Sequence, residues 1–152
     1  MPPTPIGPSN SWFYARGWLR GFFDGEGSVR FRDYPNRRGY VDWCREIYAV
    51  NTDYVLIQKA STFLELLSVP FRINKTRMPY HKDSPKFLFK VRISTRVGVL
   101  AFHQEVGFTT AWKIERLQRL VVWLNRPRTP FVCSRDSQGR FSSMGRKRAT
   151  NN

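Results

Sequence analysis

The sequence is poor in acidic residues and contains no long apolar run. Its 152 residues include 26 lysines and arginines but only 11 aspartates and glutamates, which gives a formal net charge of +15 at pH 7. Such an excess of cations is typical of proteins that bind polyanions. No apolar stretch approaches the roughly 20 residues that a membrane-spanning helix requires. We therefore expect a polyanion as the partner, and no membrane.

Cysteine and histidine are scarce as well. Cys44 and Cys133 are too few for a disulfide scaffold and form no C-x-x-C pair, and His81 and His103 add too few ligands to favour a zinc site. The first eight residues contain four prolines and no apolar core, so they do not resemble a signal peptide. The expected location is intracellular, in the cytoplasm of a prokaryote or in an organelle.

Apolar and aromatic residues are plentiful. They make up 41% and 15% of the chain, which is enough for one domain with a real core. Three segments are predicted from composition. They are a Pro-rich N-terminal arm at 1–10, a folded domain at 11–125, and a basic tail at 126–152, rich in Pro, Ser and Arg, that is a candidate for further contacts with the polyanion.

Local signals predict an α+β fold. The first helix is predicted to start after a cap at residues 9–11, to run to about Phe23 and to end through Gly25 and Gly27. Periodicity and turn signals place strands at 28–33, 40–50, 71–78 and 86–94, and helices at 53–68, 96–105 and 110–125. Two hairpins in the order αββαββαα predict a four-stranded antiparallel sheet with helices on one face.

One face of this sheet is predicted to be basic. In the last strand, Phe87, Phe89, Val91 and Ile93 alternate with Lys86, Lys90 and Arg92. The strand at 40–50 alternates less cleanly, and it leaves open whether Arg45 or Glu46 faces outward. Any antiparallel sheet can leave one charged face in water, but such a face usually mixes both signs, whereas this one nearly lacks acids.

Long cationic and amide side chains on a β-ribbon suit the major groove of double-stranded DNA, where Arg reads guanine and Asn reads adenine. The predicted DNA contacts are the outward side chains of the strands and the loop after the first strand: Arg30, Arg32, Asn36, Arg37, Arg38, Arg45, Arg72, Asn74, Thr76, Lys86, Lys90 and Arg92.

The most informative segment is residues 19–27, which read LRGFFDGEG. It places two of the few acids, Asp24 and Glu26, at a predicted helix C-terminus, where the helix dipole disfavours negative charge. A divalent cation is the natural group to compensate them.

Residues 19–27, followed by Ser28 and a strand, resemble the signature helix of the LAGLIDADG homing endonucleases. The αββαββα order of that fold matches as well, over roughly residues 12–125. The resemblance implies a homodimer, because members with one motif pair with a second copy. Gly17 and Gly21 lie one helical turn apart and would let two helices approach closely. The alternative is that both glycines are merely tolerated, at about 1 kcal/mol each.

The resemblance also implies a set of site residues. Glu26 from each copy would bind Mg²⁺ or Mn²⁺ together with the carbonyl of Gly25. The resemblance implies that Asp24 is mainly structural and bonds within the motif turn and the dimer seam, with metal ligation as its alternative role. The predicted dimer interface comprises Gly17, Leu19, Gly21 and Asp24. Trp18, Phe22 and Phe23 are expected to pack in the core or at that interface.

Two further catalytic candidates come from the resemblance. Asn51 corresponds to a residue that orients water, with a helix N-cap as its alternative role. Lys113 corresponds to a lysine that polarises water or steadies the phosphate, with a plain surface lysine as the alternative. The chain departs from the usual pattern in having Glu at position 26, where Asp is frequent, and Arg20 in place of a small residue.

The function implied is a metal-dependent homing endonuclease that hydrolyses both strands of a site of about 20 base pairs, encoded within an intron. The alternative is a protein of the same fold that does not cleave, either a DNA-binding regulator or an RNA-splicing maturase. A pure binder need not retain Glu26. A ribosomal-type basic protein is a third reading, but such chains rarely hold two acids in a glycine-flanked turn.

Overall fold

The computed structural model describes residues 8–31, 45–78 and 86–127. Within these ranges the predicted order of helices and strands is confirmed. The elements are α1 (Pro8–Glu26), β1 (Gly27–Arg30), β2 (Glu46–Asn51), α2 (Tyr54–Leu66), β3 (Arg72–Arg77), β4 (Phe87–Ile93), α3 (Arg96–Glu105) and α4 (Ala111–Leu124). In the described ranges, the helices are too short or too polar to cross a membrane.

The four strands form one antiparallel sheet in the order β1-β2-β4-β3. The two central strands, β2 and β4, pair Ile47 with Ile93 and Ala49 with Val91, and all four of these side chains are fully buried. Alternate residues of each strand therefore supply one continuous apolar face. Helices α1, α2 and α4 contact the strands, and the sheet's apolar face belongs to the same core cluster as the helices, which confirms the predicted arrangement.

Helix α1 contributes the centre of this core. Leu19 and Phe23 are fully buried, Phe22 is nearly so, and the ring centroids of Phe23 and Phe102 lie 4.8 Å apart. Trp18 is partly buried and stacks on Phe22. The expectation that the aromatic residues of α1 pack in the core is confirmed. Leu19, in contrast, was predicted at the dimer interface, and this is wrong because its side chain lies inside the monomer.

The ends of α1 differ from the prediction. The helix begins at Pro8 rather than after a cap at residues 9–11, and it continues through Gly25 to Glu26. Gly27 is the first residue of β1 and pairs with Ala49. A Cβ atom at Gly27 would lie 2.5 Å from the carbonyl oxygen of Phe23 and 2.9 Å from its Cα. Only glycine therefore allows the chain to pass directly from α1 into the sheet.

The other helices are ended by local hydrogen bonds. Asp53 is the N-cap of α2, and its carboxylate accepts a hydrogen bond of 2.8 Å from the amide of Val55. Gly107 follows α3 with a φ of +67° and donates its amide to the carbonyl of Phe102. A positive φ at this position is easily adopted by glycine, and it turns the chain toward the start of α4.

The Gly27→Ala variant is expected to lower the free energy of unfolding by about 1–3 kcal/mol, because the new methyl group must displace backbone atoms of Phe23. Gly25→Ala is the matched control. A Cβ at Gly25 meets no atom within 4 Å, and alanine favours a helix by up to about 1 kcal/mol. Urea unfolding measures the free energy of unfolding of both variants. Equal stability of the two would contradict this account of Gly27.

Candidate functional site

Asp24 lies in the last turn of α1, but its carboxylate binds the N-terminus of α4. The amide of Thr109 donates to both oxygens at 3.1 and 3.0 Å, and the amide of Thr110 donates to Oδ1 at 3.2 Å. The hydroxyls of both threonines also donate to Asp24. Burial by itself raises the pKa of Asp24, but these hydrogen bonds outweigh it and hold the pKa below its ordinary value.

These hydrogen bonds give Asp24 a structural role as the cap of α4. Thr110 is the N-cap residue of α4 but makes no side-chain capping bond of its own, so Asp24 caps that helix from another element. Negative charge is favoured at a helix N-terminus. A divalent cation is therefore not required to compensate Asp24, whose carboxylate has a structural role at the start of α4. Its roles as a metal ligand and in the dimer seam stay predictions.

Lys113 compensates the C-terminus of α1. Its side chain is buried, and Nζ donates to the carbonyl oxygens of Phe23 and Asp24 at 3.1 and 2.6 Å. These carbonyls lie at the helix end, where intrahelical partners run out. Burial lowers the pKa of Lys113, and the charge of Asp24 partly opposes that shift. The alternative of a plain surface lysine is wrong, since Lys113 fixes the residues immediately before Glu26.

Glu26 is the last residue of α1, and both it and Gly25 are exposed. Its carboxylate forms no ion pair with any of the residues that the structure describes. No group of three His, Cys, Asp or Glu side chains with metal-binding geometry is found among the described residues. A single copy of the chain thus offers one accessible carboxylate at this point.

Asn51 lies at the same end of the sheet as Glu26. Gly27, the residue that follows Glu26, pairs with Ala49, and Asn51 lies two residues after Ala49 at the end of β2. Asn51 is half-buried, and its Oδ1 accepts a hydrogen bond of 2.8 Å from the amide of Asp53. The alternative role as N-cap is wrong because Asp53 holds that position, and the catalytic role of Asn51 stays a prediction.

The outer face of α1 carries a row of glycines. Gly17, Gly21 and Gly25 are four residues apart and exposed, and a Cβ on any of them would meet no atom within 4 Å. Phe13, one turn earlier, is 70% exposed. This glycine face is open to an approaching surface, as the predicted interface role of Gly17 and Gly21 requires.

A second stripe of α1 binds the end of α3 and the segment that joins it to α4. Arg16 forms an ion pair with Glu105, and Nε of Arg20 donates to the carbonyl of Val106 at 2.8 Å. Asp24 completes the stripe at the same four-residue spacing. The departure from a small residue at position 20 is thereby explained, because the longer side chain reaches the end of α3.

The face of the sheet opposite the helices contains a buried acid among cations. Glu46 alternates with the core residue Ile47, and its side chain is only 2% exposed. Its Oε1 accepts a hydrogen bond of 2.7 Å from Nζ of Lys90, and its Oε2 forms an ion pair with Nε of Arg92. Lys90 also lies over the ring of Tyr48, 4.3 Å from its centroid. The question left open by the alternation is thus answered: Glu46, not Arg45, lies on the basic face.

Arg45 lies on the other side of the sheet. Its guanidinium is 3.5 Å from the centroid of the Trp123 ring in α4, and burial lowers its pKa. This placement contradicts the prediction that Arg45 contacts DNA together with the outward side chains.

The remaining predicted contacts on β1, β3 and β4 share the basic face. Arg72 is opposite Arg92, Asn74 is opposite Lys90, and all residues of β3 are exposed. Arg30 is exposed and pairs with Glu46 in the register, and Lys86 is exposed just before β4. The other predicted contacts lie outside the described residues: Arg32, Asn36, Arg37 and Arg38.

Known proteins resemble the chain over part of its length. A model of the LAGLIDADG-like domain matches residues 13–107. None of the curated proteins matches the chain. Among solved structures, the chain is similar to a group I intron-encoded homing endonuclease, I-CeuI, complexed with DNA. The identity is 19%, the match covers 73% of this chain and 54% of that one, and the TM-score is 0.47. The chain thus spans about half the length of that endonuclease.

Asp24→Asn is expected to lower the free energy of unfolding by about 1–2 kcal/mol at pH 7, because an amide cannot accept from all the donors at the start of α4. Since folding lowers the pKa of Asp24 below its ordinary 3.8, the stability that its charge supplies is present above about pH 4. It is lost as the pH falls through the folded-state pKa.

The difference between Asp24→Asn and wild type should therefore narrow below about pH 4. Thermal unfolding between pH 2.5 and 7 measures it. The matched control is Asp53→Asn, because asparagine caps a helix as well as aspartate and Asp53 caps α2 within its own turn. Equal effects of the two substitutions at every pH would contradict the capping of α4 by Asp24.

Proposed function

The chain belongs to the LAGLIDADG-like domain family, and on that premise we propose that it is a site-specific, double-strand DNA endonuclease that acts as a homodimer. The observation that carries the proposal is the position of Glu26. It is an accessible acid on a fixed helix end, next to the open glycine face and at the end of a sheet whose other face is basic.

The basic face is the proposed DNA-binding surface. It presents Arg92 and Lys90 on β4, with Arg72 and Asn74 beside them on β3. The seven residues of β4 span about 23 Å, the length of about seven base pairs at roughly 3.4 Å each. With the loops that flank the sheet, two copies would cover a site of about 20 base pairs whose pseudo-palindromic symmetry reflects the two-fold axis.

The glycine face is the proposed dimer interface. In a two-fold dimer the same patch of each copy meets itself, so α1 would cross α1 near Gly17 and Gly21. The absence of side chains there permits close approach of the two backbones. Glu26 is the last residue of α1 and lies about two and a half turns after Gly17. Such a crossing would bring the C-terminal ends of both α1 helices, each with its Glu26, toward the two-fold axis.

The donor set of this dimer fits a divalent cation. Mg²⁺ binds through one or two carboxylates together with water and phosphate oxygens. Glu26 from each copy and the carbonyl of Gly25 are the proposed protein ligands, and Mn²⁺ suits the same groups. When bound, the metal stabilises charge on the reacting phosphate oxygens and lowers the pKa of bound water.

The residues around Glu26 have supporting roles in this proposal. Lys113 holds the last carbonyls of α1 and thereby fixes the backbone from which Glu26 projects. Asn51 lies at the same sheet end, and its side-chain amide group is proposed to orient water near the scissile phosphate. The encoding of the protein within an intron is part of the proposal and rests on the family alone.

Glu26→Gln is expected to reduce cleavage by about 10³-fold or more, because an amide is a poor ligand for the metal, while DNA binding is retained. The measurement is cleavage of a randomised duplex library in Mg²⁺ and in Mn²⁺, with binding scored separately in EDTA. Glu65→Gln, which alters an exposed acid near the end of α2, is the matched control and should cleave normally.

Selective binding by wild type with no cleavage in either metal would refute the endonuclease. Binding of DNA would then favour a regulator, and preferential binding of structured RNA would favour a maturase.

Gly21→Glu is expected to weaken the homodimer by about 100-fold or more, because two added carboxylates would meet near the centre of the interface. The monomer should keep its fold, since position 21 is exposed and a Cβ atom there meets no atom within 4 Å. Sedimentation equilibrium measures the association. Gln118→Glu, on an exposed position of α4, adds the same charge elsewhere. A dimer that is weakened equally by both changes, or by neither, would place the interface on another surface.

A further inference from the structure

Glu46 is the only acidic residue in the four strands, as the structure describes them. It lies on the face that carries Lys90 and Arg92, and these two cations cover it. A carboxylate so deeply buried is strongly destabilising unless charged or polar partners surround it. An acid at this place works against simple attraction of phosphates, so its presence calls for another role in binding DNA.

The contact with Arg92 engages a particular nitrogen. Glu46 meets Nε of the guanidinium, which carries one of the five N–H groups, whereas the terminal nitrogens carry the other four. A bidentate contact with O6 and N7 of guanine uses N–H groups of this kind. The Arg92 side chain is 39% exposed while the carboxylate beneath it is 2% exposed. The two atoms of this ion pair, Oε2 of Glu46 and Nε of Arg92, are both buried, while the rest of the Arg92 side chain is partly exposed.

Several other cations lie close to the pair of Glu46 and Arg92. Arg92 is directly opposite Arg72 on β3, and like charges at such positions repel each other. Arg30 is the register partner of Glu46 on β1, and Lys90 reaches the same carboxylate across the Tyr48 ring. The negative charge of Glu46 therefore allows several cations to share a small area. It also reduces the attraction of this area for phosphates of any sequence.

We propose that Glu46 is a positioning residue for DNA recognition, which holds Arg92 through Nε so that the terminal nitrogens read a guanine in the major groove. An arginine that is restrained before binding loses less side-chain entropy when it meets the base. In the same arrangement Glu46 withholds Lys90 from contacts with phosphates. This inference rests on the proposed binding of DNA, but not on cleavage or on the metal.

The test is selection of bound duplexes from a randomised library in EDTA, with wild type, Glu46→Gln and Arg92→Lys. Wild type should prefer G·C at one position of each half-site. Both variants should reduce that preference by about 10-fold, the size of one good bidentate contact, at that same position and at no other. Glu46→Gln should also bind unselected DNA more tightly, with a slope of log K against log salt that is steeper by about one.

Two further comparisons distinguish a specific effect of Glu46 from a general change in charge and from a loss of folding. Glu115→Gln, at an exposed acid of α4, should leave the base profile and the salt slope unchanged. If Glu46→Gln does not fold, as judged by circular dichroism, Arg92→Lys decides, since it keeps the charge but lacks the planar fork. Its failure to lower any G·C preference would overturn the inference.

A wild type that selects a site, with Glu46→Gln showing the same G·C preference or a uniform loss at all positions, would overturn this inference alone. A wild type without sequence preference, or one that prefers structured RNA, would overturn both the inference and the proposed function.

Discussion

The rest of the candidate site depends on how the C-terminus of α1 meets the N-terminus of α4. Lys113 donates to the carbonyls of Phe23 and Asp24, while the carboxylate of Asp24 accepts from the amides at the start of α4. Each helix end thus receives the charge that its dipole favours, and each supplies a side chain to the other. Because two buried or half-buried ends are paired in this way, the position of Glu26 does not depend on a bound metal.

Helix α1 uses different sides for the core, for contacts with the end of α3 and the start of α4, and for the proposed dimer interface. Leu19 and Phe23 pack in the core, and Arg16, Arg20 and Asp24 bind the end of α3 and the segment that joins it to α4. The glycines are on neither of these sides, and their surroundings are open. A change at Gly17 or Gly21 is therefore expected to leave the packing of one copy undisturbed, which allows these positions to test the proposed dimer separately from the fold. Gly27 is the exception among the glycines of this segment, since backbone atoms of Phe23 fill the space beside it.

The sequence predicted the elements and both faces of β4, because these follow from local alternation and from turn residues. It could not predict the pairing of Asp24 with Thr109 and Thr110, since the partners are 85 and 86 positions apart and no periodicity connects them. The burial of Lys113 could not be predicted for the same reason, since the carbonyls that it binds are 89 and 90 positions away. At Arg45 and Glu46 the local pattern was too weak, and only the contacts with Trp123 and with β4 assign each residue to a side. The even spacing of Arg16, Arg20 and Asp24 was a signal that sequence reasoning did not use.

The environments of three acids explain why their chemistry differs although they lie in one strongly cationic chain. Asp24 is surrounded by the amides and hydroxyls of two threonines, and Glu46 is covered by a lysine and an arginine. Their oxygens already contact protein donors through hydrogen bonds or ion pairs, and a metal would have to displace those groups to bind. Glu26 is exposed at the end of α1. It has neither of these sets of partners, so its oxygens stay available. The proposal of a cation at Glu26 rests on this difference, because among these three acids Glu26 is the one that the described residues leave without protein donors.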